Sequence, residues 1–219
     1  MPHYRDEAVV IRTHKLGEVD RIVTLLTKNH GQVRAVAKGV RKTSSRIGAR
    51  LEPFMVVDVQ LYEGRNLDTV SQVEQLANYG AVIVDDYARY TAASAVVEAA
   101  ERLTREDSSS KHYLLVLGAL RALSAKEQAS DQILDSYLLR ALAISGWIAN
   151  LTSCQGCGSD QTVLFSVHSG SVSCANCALP GSVRLGVEGI AHVGSLLAGD
   201  WQGVSQATSA TRATVSGVV

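Results

Sequence analysis

Four cysteines carry the most specific chemistry in the chain. Cys154 and Cys157, then Cys174 and Cys177, form two C-x2-C pairs with sixteen residues between them. That spacing matches a four-Cys zinc template, in which four thiolates at about 2.3 Å enclose a tetrahedral ion and each tight turn aims two sulfurs at it. Two disulfides would need an oxidising compartment, and a thioredoxin-like pair would need a βαβ setting. Neither is indicated. Four thiolate ligands leave no open coordination position, so the expected metal is one structural zinc per chain. Between the pairs, Val163–Val167 and Ser171–Ser173 flank His168-Ser169-Gly170, the pattern of a hairpin that brings the two knuckles together at its base. Gly156 and Gly158 are expected to relieve the first turn and Asn176 the second, with His168 exposed at the tip.

A second cluster is basic. Arg34, Lys38, Arg41, Lys42, Arg46 and Arg50 lie in a stretch without Asp or Glu, and Gly39–Arg46 adds flexible, hydroxyl-rich backbone. Cations, hydroxyls and free N–H groups together suit phosphate oxygens, as on a nucleic-acid backbone. Many charge runs are only solvated loops, and an acidic protein tail would attract the same cations. Tyr4, Phe54 and Tyr62 are either stacking rings or core. Patterns for catalysis are absent: Gly39-Val40-Arg41-Lys42-Thr43 lacks the glycines of a P-loop, and no G-x-S-x-G occurs. His14, Glu18 and Asp20 read as surface polar residues. No catalytic residue, and no enzyme, is expected.

The elements that must position these groups divide the chain in two. Residues 1–80 alternate as strands: Ala8–Ile11, Ile22–Leu26, Val33–Ala37, Met55–Tyr62 and Leu67–Val73, separated by Gly-marked turns. Five short strands suit a small barrel or sandwich, and the basic stretch fills the long gap between the third and fourth. Residues 81–219 turn helical. Ile83, Tyr87, Tyr90, Ser94, Val97 and Leu103 mark a first helix, and Leu114, Leu117, Leu120 and Leu123 a second with Ser110 as N-cap. Ile133, Tyr137, Ala141, Ile144 and Ile148 mark a third, and Val187–Gly199 a fourth. The cysteine segment, 151–182, is inserted between the last two. The chain stops inside an Ala/Thr/Val-rich stretch without a stop signal, which suggests that a C-terminal end is lacking.

Composition supports a packed protein. Among 219 residues, 46% are hydrophobic and 19% charged, with aromatics at only 5%. The 21 Lys+Arg and 21 Asp+Glu cancel, yet unevenly. Residues 1–50 hold eleven Lys+Arg against four Asp+Glu, and the remainder holds ten against seventeen. Neutrality therefore excludes only a uniformly basic protein, not a nucleic-acid binder. No apolar stretch is long enough to span a bilayer and the N-terminus lacks the order of a secretory signal, so no membrane partner and a cytoplasmic location are expected.

Tyr4–Arg12, Gly17–Leu25, Gly31–Arg41 and Leu51-Glu52-Pro53-Phe54, followed by an Ala/Leu-rich helical region and a four-Cys knuckle, resemble the RecO family of bacterial DNA repair proteins over about residues 4–200. The resemblance implies an α+β protein: an N-terminal five-stranded OB-fold barrel (1–80), then an α-helical domain (81–219) with an inserted four-Cys zinc knuckle. It further implies a recombination mediator associated with the nucleoid. Such a protein binds single- and double-stranded DNA, anneals complementary strands without ATP and helps load recombinase onto strands coated by single-strand-binding protein. The implied partners are RecR and the C-terminal tail of the single-strand-binding protein. Carried over to this chain, the resemblance makes Arg34, Lys38, Arg41, Lys42, Arg46 and Arg50 the DNA-binding candidates, with Arg12, Lys15 and Arg21 as weaker additions. The competing reading is a zinc-stabilised adaptor that binds acidic protein tails and no DNA.

Overall fold

The computed structural model describes residues 2–45, 47–105, 110–147 and 149–219. These resolve into two compact units, Met1–Ser130 and Asp131–Val219.

The first unit is built on five strands: β1 (His3–Leu16), β2 (Asp20–Thr27), β3 (Gln32–Ala37), β4 (Met55–Tyr62) and β5 (Asp68–Asn78). They close into a barrel in the order β1-β2-β3-β5-β4, with β3 and β5 parallel and the other pairs antiparallel. This is the OB-type barrel with an α-helical continuation that the sequence predicts. Alternation explains it. Val57, Val59 and Leu61 on β4 point inward with Val23, Leu25, Ala35, Val70 and Val73, and the residues between them face out. Each fully buried Val or Leu contributes about 1.5–3 kcal/mol of transfer free energy. β1 serves both neighbours: its first half pairs with β4 and its second half with β2, with an irregularity between Val10 and Arg12. A bulge there lets one strand bend enough to close the barrel.

Helices α1 (Gly80–Ile83), α2 (Tyr87–Leu103) and α3 (Ser110–Ala125) complete this unit, with α2 and α3 packed on β1. Asp86 caps α2 by accepting from the Arg89 N–H. The buried face of α2 is Ala92, Ala93, Val96, Val97 and Ala100, so of the predicted stripe Val97 is buried here and Ile83 in α1, whereas Tyr87 is 83% exposed. Small alanines let the helix approach the barrel closely, which outweighs the size of the tyrosines. On α3 the buried set is His112, Tyr113, Leu115, Val116, Ala119, Leu120 and Leu123, and Leu114 faces solvent. Ser110 begins α3 and is not its cap; residues 107–109 lie outside the described set.

The second unit contains α4 (Ser130–Ile144), short strands β6 (Leu164–Ser166), β7 (Ser171–Ser173) and β8 (Val183–Arg184), and helices α5 (Gly186–Ala198), α6 (Trp201–Gln206) and α7 (Ser209–Ser216). The sheet order is β7-β6-β8. α4 carries Ile133, Tyr137 and Ala141 inward as predicted; Ile148 lies outside the described residues. α5 ends at Gly199, whose left-handed φ of 71° makes the C-cap. Phe165 and Val172 of the cysteine hairpin join Ile190, Val193, Leu196, Val204 and Val215 in one core. The hairpin between the cysteine pairs is therefore anchored in this unit's core. Among the described residues no helix is long and apolar enough to cross a membrane.

Candidate metal centre and nucleic-acid interface

The candidate metal centre is assembled by the predicted hairpin. β6 and β7 pair through Phe165↔Val172, and Gly170 supplies a left-handed turn residue at φ 60°. The Gln155 N–H donates to the Val172 carbonyl at 3.1 Å, which ties the first knuckle to the hairpin. Within that knuckle the Cys154 N–H donates to the Ser159 carbonyl at 2.7 Å and the Gly158 N–H to the Cys154 carbonyl at 2.9 Å. Gly158 is left-handed at φ 74°, whereas Gly156 is needed for closeness. A Cβ there would sit 2.9 Å from Cys177 Cβ and 3.0 Å from its sulfur. Asn176 does not take the left-handed conformation expected of it. It lies in a single 3-10 turn over Ala175–Cys177, closed by the Cys177 N–H on the Cys174 carbonyl.

The result brings all four sulfurs, from Cys154, Cys157, Cys174 and Cys177, within 4.8 Å of one another. Sγ of Cys157 and Sγ of Cys174 are 3.8 Å apart. Four sulfurs each about 2.3 Å from a tetrahedral ion are about 3.8 Å apart, so the donor set fits such an ion. Electrostatics agree. Backbone amides of Cys174 and Cys157 aimed at the Cys154 sulfur hold that thiol down to about 6. The neighbouring sulfurs of Cys174, Cys157 and Cys154 push Cys177 up to about 12. Crowded thiols cannot all ionise alone, and a bound cation removes that conflict. His168 is exposed and outside the cluster.

The basic residues gather partly at one end of the barrel. Arg34 is exposed on β3, and Lys38, Arg41 and Lys42 are exposed just beyond it. Their loop is pinned to the β1–β2 turn. The Gly39 N–H donates to Asp20 Oδ1 at 2.7 Å, the Arg41 N–H to the Val19 carbonyl at 2.9 Å, and Arg41 Nη1 to the Gly17 carbonyl at 3.0 Å. Asp20 is thereby a loop anchor. Arg34, Lys38, Arg41 and Lys42 carry no ion pair among the described residues.

Other cations are committed elsewhere. Arg50 is half-buried and donates through Nη1 to the Val73 carbonyl at 2.8 Å, tying the short 3-10 turn over Gly48–Leu51 to β5. Arg12 pairs with Glu101 at 2.8 Å and Arg21 with Glu52 at 2.5 Å. Arg46 lies outside the described residues. Of the three candidate rings, Phe54 is buried and Tyr4 packs against the barrel core. Tyr62 alone stands outside, 41% exposed. The sequence reading missed Arg65, an exposed cation in the β4–β5 turn. A lone arginine has no run to mark it.

Comparison with known proteins agrees with this architecture. Residues 1–79 match the family model described as recombination protein O N terminal, and residues 84–219 match recombination protein O C terminal. A DNA repair protein RecO from a Nocardioides species is 50% identical over 212 residues, covering 94% of this chain and 87% of that protein. The protein of the same name from Bifidobacterium longum subsp. infantis is 48% identical over 203 residues, covering 92% and 85%. That from Streptomyces avermitilis is 46% identical over 211 residues, covering 92% and 85%.

Proposed function

Because the chain belongs to the recombination protein O family, whose members are DNA repair proteins, we propose that it holds single- and double-stranded DNA against the barrel, anneals complementary strands without ATP, and helps load recombinase onto strands coated by single-strand-binding protein. The observation that carries this reading is the barrel surface along and beyond β3 where Arg34, Lys38, Arg41 and Lys42 stand exposed, with no carboxylate partner among the described residues. Annealing needs no bond chemistry, and so no catalytic residue. Clustered cations reduce the repulsion between two phosphate backbones, and contacts that ignore sequence let the strands search for register.

In this reading residues 1–80 form the DNA-holding domain, and residues 81–219 keep shape and meet protein partners, RecR and the acidic tail of single-strand-binding protein. Cys154, Cys157, Cys174 and Cys177 would hold zinc, whose contribution is to cross-link the knuckle and stabilise its fold. The setting is the cytoplasm, at the nucleoid. Arg46 completes the basic run, and Arg50 acts on the fold that presents it.

The test is annealing of complementary strands coated with single-strand-binding protein, in the absence of ATP, alongside anisotropy of a labelled oligonucleotide at two salt concentrations. Salt-sensitive binding with accelerated annealing is the expected result. Binding to an acidic tail peptide with none to DNA would replace the proposal by the adaptor reading.

A further inference from the structure

Strand register places one row of outward side chains across the barrel. Tyr62 of β4 stands opposite Thr69 of β5, Thr69 beside Val36 of β3, and Val36 opposite Ile22 of β2. At the β1 side His3 stands opposite Tyr62, their rings edge to face at 6.1 Å and 64°. The neighbouring residues Leu61, Val70, Ala35 and Val23 are all buried in the barrel core. Alternation therefore turns every member of the row outward. From Tyr62 to Ile22 the row crosses three inter-strand steps of about 4.8 Å each. Thr69, Val36 and Ile22 are half-buried, and Tyr62 is the most exposed large side chain of the four.

Thr69 apart, the row is apolar and aromatic, and exposed cations stand near it. Arg34 is the next outward residue on β3, Lys38 follows the other end of that strand, and Arg65 is exposed in the turn leaving β4. Such a strip, with cations beside it and a ring at its edge, offers a flat face to a base and separate sites to phosphates. A duplex turns its base faces inward and can use only the cations. An unpaired strand can use both.

Resting on the reading of the barrel as the DNA-holding surface, we propose that single strands and duplexes are held by different residues: duplex DNA by the cations alone, and single strands by the cations together with bases laid on Tyr62 and the Val36–Ile22 strip. Tyr62 is the stacking residue, with His3 bracing its ring.

The test uses anisotropy with three labelled probes of about 20 nucleotides: an oligothymidine strand, a duplex, and a strand of abasic residues that keeps its phosphates. Tyr62→Ala should weaken binding of the oligothymidine strand about tenfold, the loss typical of one stacked base. Tyr62→Phe, which keeps the ring, should restore it. Neither variant should change binding of the duplex or the abasic strand. Equal weakening of all three probes, or none of any, overturns the proposal. Wild-type protein that binds none of the three overturns the DNA-binding reading beneath it, an outcome distinct from the first two.

Discussion

Arg50 and Lys42 belong to one basic run but do different work. Arg50 satisfies the Val73 carbonyl at 2.8 Å, whereas Lys42 is exposed and carries no ion pair among the described residues. Arg50→Ala should therefore lower the melting temperature, by about 1–3 kcal/mol of stability for a charged hydrogen bond lost to a backbone acceptor. Lys42→Ala should leave melting unchanged and weaken DNA binding. No feature of the sequence separates the two, because side-chain direction in this loop is set by strands far away in the chain. Asp135 illustrates the same scale in the second unit. Burial raises its pKa above 3.8, the Ser216 hydroxyl that donates to it opposes the rise, and Asp131 adds to it. A carboxyl raised in the folded state contributes stability below its unfolded pKa and loses it as pH rises through the folded value. Asp135→Asn, which keeps an acceptor for Ser216, should raise the melting temperature at neutral pH. The gain should shrink as pH falls toward about 4. A gain of equal size at both pH values would exclude this cause.

At the scale of elements, the metal hairpin and the barrel strands were the most legible parts. The C-x2-C spacing and the alternation of Met55–Tyr62 each encode geometry locally, in the first case by ligand reach and in the second by period. The helix faces were less legible. Leu114 looks like core by spacing but points to solvent, because α3 turns Tyr113 and Val116 toward the barrel instead. Helices α6 and α7 were not anticipated, being short, polar and joined by few residues. Their only signals are the caps at Asp200 and Thr208. The knuckle shares its core with α5–α7 through Phe165 and Val172, so removal of the metal should loosen more than the hairpin. After chelation, limited proteolysis should open sites in 151–182 and in α5–α7 while residues 1–130 stay protected. Gly156→Ala, whose Cβ would press on Cys177 at 2.9 Å, should reduce bound zinc below the one ion per chain expected of the wild type by elemental analysis. Full zinc content in that variant would remove the steric argument.

Across the whole molecule, charge is divided more sharply than structure. Residues 1–50 carry eleven Lys+Arg against four Asp+Glu, and the remainder ten against seventeen. The acidic part repels phosphate, so salt should act mainly through the barrel end. Each phosphate contact on single strands contributes a log–log salt slope of about −0.7. Replacing Lys38, Arg41 and Lys42 together by Ala should flatten the measured slope by about 2. An unchanged slope would place the contacts elsewhere.

The barrel is closed at β3 and β5 by only two register pairs, Ala35↔Asp68 and Val36↔Thr69. This is the weakest seam in an otherwise continuous hoop, and the proposed base-holding row runs straight over it. A strand lying there acts as a clasp on the seam. Whatever the barrel holds should in turn hold the barrel shut, slowing hydrogen exchange of the β3 and β5 amides first.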